Sequence, residues 1–341
     1  MKWRRQPAVP EPALAGGPAP SRSGARRVAG ALVSDRYALI LGWVGIAVLF
    51  AILRPDTFPS SANVSSILSS QGVLVIVSLA VVIPLLVGEF DLSVGAVLGL
   101  AAITTAVLNV EHGVNVWVAA LAGLAVGPII GAINAFFIVV VGVDGLITTL
   151  GVGTFATGIG FAISDYVIVS GISHPLVAFI SDEVFGLPLS FYYGIVVAGV
   201  LWFVLRYTPS GQHLLFVGRA REVARLSGLR VSRIRFGALV MSGTLSALAG
   251  IVLAGTIGGA DPTAGASYLL PAYSAAFLGA TTINPGRFNP WGTVIAVYFL
   301  VTGISGLQLM GLSDWVQQVF YGISLVFAVT LSKLAERRKS R

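Results

Sequence analysis

The stretch Arg206-Tyr-Thr-Pro-Ser-Gly-Gln-His-Leu-Leu-Phe-Val-Gly-Arg-Ala-Arg-Glu-Val-Ala-Arg-Leu-Ser-Gly-Leu-Arg-Val-Ser-Arg-Ile-Arg235 is a polar island in an apolar chain. It carries seven arginines (206, 219, 221, 225, 230, 233, 235) against one acid, Glu222. Its centre, Arg221-Glu-Val-Ala-Arg-Leu-Ser-Gly228, reads as a short helix. Val223, Ala224 and Leu226 can share an apolar side, Arg221 and Arg225 stand at i,i+4, and Gly228 supplies a C-terminal stop. Two uses fit such a helix. It can lie in a groove on a partner, anchored by its apolar residues, or rest on an anionic lipid surface, held by arginine.

Outside the island the composition is that of a membrane protein. Charged residues make up 10% of the 341, the apolar set 56%, and mean hydropathy is +0.90. A soluble domain is about a quarter charged. Crossing a bilayer core takes about 20 largely apolar residues, and the chain supplies such runs repeatedly. The fold class expected is all-α, a polytopic transmembrane helix bundle of about ten spans. These fall near 37–53, 71–88, 92–110, 116–141, 146–163, 190–206, 236–256, 271–284, 291–309 and 314–332. The segments Arg54–Ser70 and Ser164–Ser190 are expected on the outer side, the second with room for short interfacial helices. Three spaced glycine pairs (Gly95 with Gly99, Gly123 with Gly127, Gly127 with Gly131) suit close helix packing inside one bundle.

Charge sets the orientation. Of 21 Lys and Arg, seven lie in 1–36, seven in 206–235 and five in 333–341. With ten spans these clusters share one side, together with Arg287, as the positive-inside rule requires. Both termini are therefore expected in the cytoplasm. Residues 1–36 read as a disordered basic tail, 37–332 as the transmembrane domain with a cytoplasmic loop at 207–235, and 333–341 as a second basic tail. Clusters flanking apolar spans argue against a nucleic-acid partner.

Several chemistries are excluded. There is no cysteine, so disulfide, thiolate and iron–sulfur chemistry are absent. The three histidines, His112, His174 and His213, are too far apart in sequence to form a short-spaced metal pair. Lysine occurs only at 2, 333 and 339, and no G-x-x-x-x-G-K-[ST] phosphate loop is present. No catalytic constellation or metal set is expected, and no cofactor on this chain. Among the acids near spans, Glu89 and Asp91 sit in Gly88-Glu-Phe-Asp-Leu-Ser-Val-Gly95, and Asp144 in Val143-Asp-Gly-Leu-Ile-Thr-Thr-Leu-Gly151. Acids at such positions line a polar path through irregular backbone, or cap the following helix from a cytoplasmic turn. The first use also suits a proton- or sodium-coupled secondary carrier.

Gly88-Glu-Phe-Asp-Leu-Ser-Val-Gly95 resembles the G-G-I-D-L-S-V-G signature of ribose-type ABC transporter permeases, the membrane subunits of monosaccharide importers. Phe216-Val-Gly-Arg-Ala-Arg-Glu-Val-Ala-Arg-Leu-Ser-Gly-Leu229 is similar to their cytoplasmic loop, A-x-G-x-N-x-x-A-A-x-x-S-G-I. Gly250-Ile-Val-Leu-Ala followed by Asp261-Pro-Thr-Ala-Gly265, then Gly286-Arg-Phe-Asn-Pro-Trp-Gly-Thr293, then Leu307 to Gln318 with Trp315, resemble further segments in order. The departures are Glu89 and Phe90 in place of Gly and Ile, the missing loop Asn near Arg219, and the altered turn 284–292.

The resemblance implies one permease subunit in a homo- or heterodimer, in the bacterial inner membrane. Two ATPase subunits carrying ATP-Mg would dock beneath the pair, and an extracytoplasmic solute-binding protein would deliver a pentose or hexose. It implies that Gly218, Arg219, Arg221, Glu222, Val223, Ala224, Arg225, Leu226, Ser227 and Gly228 form the coupling helix and its flanks. Candidates for the solute path are Glu89, Asp91, Asn134, Thr148, Thr149, Thr154, Asn284 and Ser305.

Overall fold

The computed structural model describes the backbone of residues 22–339 and the side chains of 37–330. Residues 1–21, most of the expected N-terminal tail, and the last two residues of the expected C-terminal tail lie outside the described residues. Among the described residues fourteen α-helices follow in order. They are α1 (Arg22–Leu53), α2 (Ser61–Ser69), α3 (Gly72–Leu86), α4 (Val94–Ala106), α5 (Val116–Ala135), α6 (Gly145–Ile163) and α7 (His174–Ser181). Then come α8 (Leu189–Tyr207), α9 (Pro209–Arg219), α10 (Arg221–Leu226), α11 (Val231–Ile257), α12 (Ala266–Gly279), α13 (Pro290–Leu309) and α14 (Trp315–Lys339). A π-helical turn extends α4 over Val107–Glu111 and another extends α5 over Phe136–Val141.

The core is built on α3, mostly Val, Leu and Ile with Gly72, Ser78, Ala80 and Pro84, in which every residue is buried. A helix apolar all round belongs inside a bundle. Packed on it are α11, α12 and α8, while α4 and α5 flank α11 and α13 lies against α12. The more peripheral α5, α6 and α8 leave most of their apolar surface uncovered, as a lipid-facing helix does.

Among the described residues seven helical runs are long and apolar enough to cross a membrane, with two shorter ones at Tyr37–Leu53 and Trp315–Thr330. One long run is Ser61–Leu86, which joins α2 to α3. The segment Arg54–Ser70, with Pro55, Pro59 and several serines, is expected outside the span 71–88, whereas Ser61–Ser69 is helical. In the structure Ser60 caps α2 through the Asn63 N–H. The span expected at 271–284 is shifted: α12 runs Ala266–Gly279, and residues 280–289 form a turn before α13.

Close helix crossings rest on glycine. A Cβ on Gly127 would overlap the carbonyl oxygen of Gly243, and one on Gly243 would overlap that of Gly127. Gly131 meets the Leu239 carbonyl in the same way, which fixes α5 on α11. Gly95 and Gly265 make the equivalent contact between α4 and the start of α12. Such contacts let backbones approach where no hydrophobic drive separates helix from lipid.

The two ends of the bundle differ. One gathers the turn 87–93, the turn 142–144, the helices α9 and α10, and the turn 280–289. The other carries 164–188, where α7 follows a two-residue strand β1 (Val169–Ser170) and precedes the hairpin of β2 (Glu183–Val184) and β3 (Leu187–Pro188). Strand β1 pairs antiparallel with β4 (Gly259–Ala260), which ties this segment to the end of α11.

Candidate functional site

The expected short helix exists as α10. Its C-terminus closes with two backbone bonds, Leu229 N–H to the Ala224 carbonyl at 3.1 Å and Gly228 N–H to the Arg225 carbonyl at 3.0 Å. Gly228 takes φ +84°, which a side chain would strain. This is the 6→1 and 5→2 pattern of a Schellman stop. Ala224 is fully buried beneath the helix, while Val223 is 53% and Leu226 85% exposed. The three apolar residues therefore do not share one face: Ala224 holds the helix to the bundle, and the other two point away from it. Gly218, at the end of α9, lies against the Leu86 carbonyl so closely that a Cβ would overlap it. The α9–α10 unit thus sits directly on the end of the central helix α3.

Glu89 is the second anchor. It is 7% exposed, and its Oε1 accepts Arg221 Nη2 at 2.6 Å and Arg235 Nε at 2.7 Å. Arg221 Nη2 also donates to the Val87 carbonyl at 3.0 Å. Arg225 and Glu222 form an exposed pair at 3.9 Å within α10.

Two residues beyond Glu89 the chain enters a buried polar cluster. Asp91 Oδ1 accepts the Ser93 hydroxyl at 2.6 Å and the Ser93 N–H at 3.1 Å, and Oδ2 accepts the Ser242 hydroxyl of α11 at 2.8 Å. The Tyr273 hydroxyl of α12 bridges the Asp91 backbone, donating to its carbonyl at 3.0 Å and accepting from its N–H at 3.1 Å. Asn134 Nδ2 of α5 donates to Ser93 Oγ at 2.8 Å, and Leu92 N–H donates to Thr149 Oγ1 of α6 at 3.1 Å. One turn is thereby bonded to α5, α6, α11 and α12. Burial pushes the Asp91 carboxyl above its ordinary range, and the bonds from Ser93 and Ser242 partly offset this. Asn134 Oδ1 is buried and accepts no donor among the described residues.

The cluster brings together Asp91, Asn134 and Thr149 from the candidate path residues, with Glu89 beside it at the arginine end. Ser93, Ser242 and Tyr273 belong to it too and were missed; Ser93 lies inside the quoted motif, but nothing local marks Ser242 or Tyr273. Thr148 is buried and donates to the Asp144 carbonyl at 2.8 Å, within α6. Asp144 caps that helix through the Leu146 and Ile147 N–H groups, as one of the two readings expected. Asp91 instead bonds Ser93, the residue at the N-cap position of α4. Asn284 stands apart, exposed in the turn before α13.

Thr154 and Ser305 line two separate clefts. Thr154 borders a groove of about 260 Å³ between α4, α6 and the segment before α12. Ser305 borders a cavity of about 340 Å³ between α2, α12, α13 and α14, whose polar walls include Ser267, Tyr268, Gln317 and Tyr321 and no charged residue. Among the described residues no three His, Asp or Glu gather as a metal site would require.

The family described as "Branched-chain amino acid transport system / permease component" matches residues 63–329. The D-allose transport system permease protein of Escherichia coli (strain K12) is 30% identical over 308 residues, covering 90% of this chain and 94% of that protein. The ribose import permease protein of Bacillus subtilis (strain 168) is 31% identical over 310 residues, covering 90% and 94%. The L-arabinose transport system permease protein of Escherichia coli (strain K12) is 29% identical over 308 residues, covering 89% and 92%. The chain belongs to the monosaccharide-type ABC importer permeases. It is a multi-pass protein of the bacterial inner membrane. No solved structure matches it. As a permease of this family the chain is a transport subunit, and its α9–α10 unit occupies the loop that the sequence resemblance had singled out.

Proposed function

We propose that this permease moves a monosaccharide, a pentose or hexose, into the cytoplasm by alternating access, powered by a separate ATPase that docks on α10. The bundle crosses the membrane ten times, with α2 and α3 as one crossing and α12 as the shortest, and both termini lie in the cytoplasm. Two permease subunits, two ATPase subunits carrying ATP-Mg and an extracytoplasmic solute-binding protein make the working transporter. The chain itself catalyses no reaction.

The observation that carries this reading is α10: a rigidly stopped helix at the arginine end, with Val223 and Leu226 turned outward on a chain that has no phosphate loop. Exposed apolar residues on a short helix fit a groove on a partner. The names of the allose, ribose and arabinose relatives support a sugar as cargo. The uncharged hydroxyl- and amide-lined cavity at Ser305 supports it independently, since a neutral polyol needs hydrogen-bond partners and no counter-charge. The groove at Thr154 is the second candidate for the solute path.

Deleting 222–228 tests the reading. Membrane insertion is expected to survive, while ATPase recruitment and uptake are lost. Recruitment of the ATPase by the deleted permease would overturn the assignment.

A further inference from the structure

Glu89 stands where the related signature has a second glycine, so it is an added acid in this chain. One carboxylate oxygen receives Arg221, the first residue of α10, and Arg235, in the second turn of α11. A Cβ on Gly145, the first residue of α6, would sit 3.6 Å from the other oxygen. The acid thus joins the turn 87–93 to the starts of α10 and α11, with the start of α6 close by. Two residues further on, the same turn holds the Asp91 cluster, whose bonds reach α5, α6, α11 and α12.

We propose that Glu89 is a positioning residue for transport, a charged latch that makes the turn 87–93 move with the docking helix α10. This rests on the reading of α10 as the ATPase dock. A push on α10 is delivered to Arg221, through its two bonds to Glu89 and the Val87 carbonyl, and so to the backbone of the turn. The Asp91 cluster then carries the displacement to the helices around the solute path. Glu89 is buried while Arg221 is partly exposed; such a pair is weak evidence for added stability, and the best-attested use of a buried charge is to fix one arrangement against another. A mere contact between α10 and the turn could slip; the charge-assisted bond from Arg221 resists it, while Arg235 holds the same oxygen from α11.

The test uses the full transporter in lipid nanodiscs: this chain, its ATPase subunits and its binding protein. Because the chain has no cysteine, Phe90→Cys carries a single spin label in the turn. In the otherwise wild-type chain an ATP analogue is expected to change the mobility of this label. With Glu89→Gln the ATPase is expected to remain docked, while that change falls at least about fivefold, the lower end of ordinary coupling between sites. Uptake per ATP hydrolysed falls with it, a ratio that loss of folded protein alone would not move. Exchanging the charges, Glu89→Arg with Arg221→Glu, keeps one acid among two bases and restores the response. Should Glu89→Gln fail to assemble, Glu89→Asp, which withdraws the charge by one methylene, is expected to weaken the response instead. A wild-type label response in either docked single variant overturns the proposal, as does an immobile label in the wild-type background or failure of the exchange to restore it. Survival of ATPase docking after deletion of 222–228 would instead count against the functional reading beneath it.

Discussion

Gly127 of α5 and Gly243 of α11 meet backbone to backbone, each so close that a Cβ on one would overlap the carbonyl oxygen of the other. Neither helix can yield at this point, because Gly131 repeats the contact one turn along. Gly243→Val is therefore expected to lower stability by roughly 1–3 kcal/mol or more, the cost of overpacking a tight site. Thermal unfolding in detergent reads it. Gly158→Ala, on the uncovered side of α6 with nothing within 4 Å, is expected to leave the melting temperature unchanged or slightly raised.

Asp91 gives a pH dependence with a definite sign. Burial raises its carboxyl above the ordinary value of 3.8. A raised acid favours the protonated folded form, so the stability it contributes is present below that value and is lost as pH rises through the folded value. Asp91→Asn has no such slope. The melting temperature of Asp91→Asn minus that of the wild type is expected to become more positive from pH 4 upward. A difference flat across that range would refute the assignment.

Asp91→Ala acts otherwise. It leaves the Ser93 and Ser242 hydroxyls without their acceptor in a buried site. Stability is expected to fall by about 1–3 kcal/mol, the penalty of an unsatisfied buried group. Uptake by the assembled transporter is expected to fall as well, whereas Asp91→Asn, which keeps an acceptor, retains more of both.

Leu226 is 85% exposed, so the permease alone gains little from it. Leu226→Asp is expected to leave the melting temperature within about 0.5 kcal/mol of equivalent stability, as surface changes do. Its effect is expected on the partner: losing a buried leucine there weakens ATPase binding by about 1.5–3 kcal/mol, tenfold or more in Kd. Equal binding of the ATPase by both proteins in a pull-down titration would remove Leu226 from the dock.

Gln317 lines the uncharged cavity beside Ser305 and is itself exposed to it. Gln317→Leu is expected to slow uptake of D-allose, D-ribose or L-arabinose, whichever the wild type carries, with ATPase recruitment unchanged. The size follows from one lost hydrogen bond, about 0.5–1.5 kcal/mol, which is a fewfold change in rate.

Helical class, membrane residence and the short helix within 221–228 were legible in the sequence because each is written locally, in runs, charges and caps. The Asp144 cap was legible for the same reason. Glu89 was legible as an unusual acid, but its partners stand 132 and 146 residues away, and no local spacing links them. Ser242 and Tyr273 are hidden for the same reason: a serine and a tyrosine inside apolar helices look like any others until the fold brings them to Asp91. The α2 helix was missed because serine is read as loop, although here Ser60 caps it and its apolar residues Ile67 and Leu68 pack on the core.

The Schellman stop at Gly228 and the burial of Ala224 have a kinetic meaning for any protein that binds α10. The helix is already folded before a partner arrives, so binding need not supply the entropy of ordering it. Association then resembles the docking of two rigid surfaces, and differences in affinity among variants of this face should reside in how long the complex lasts rather than in how fast it forms.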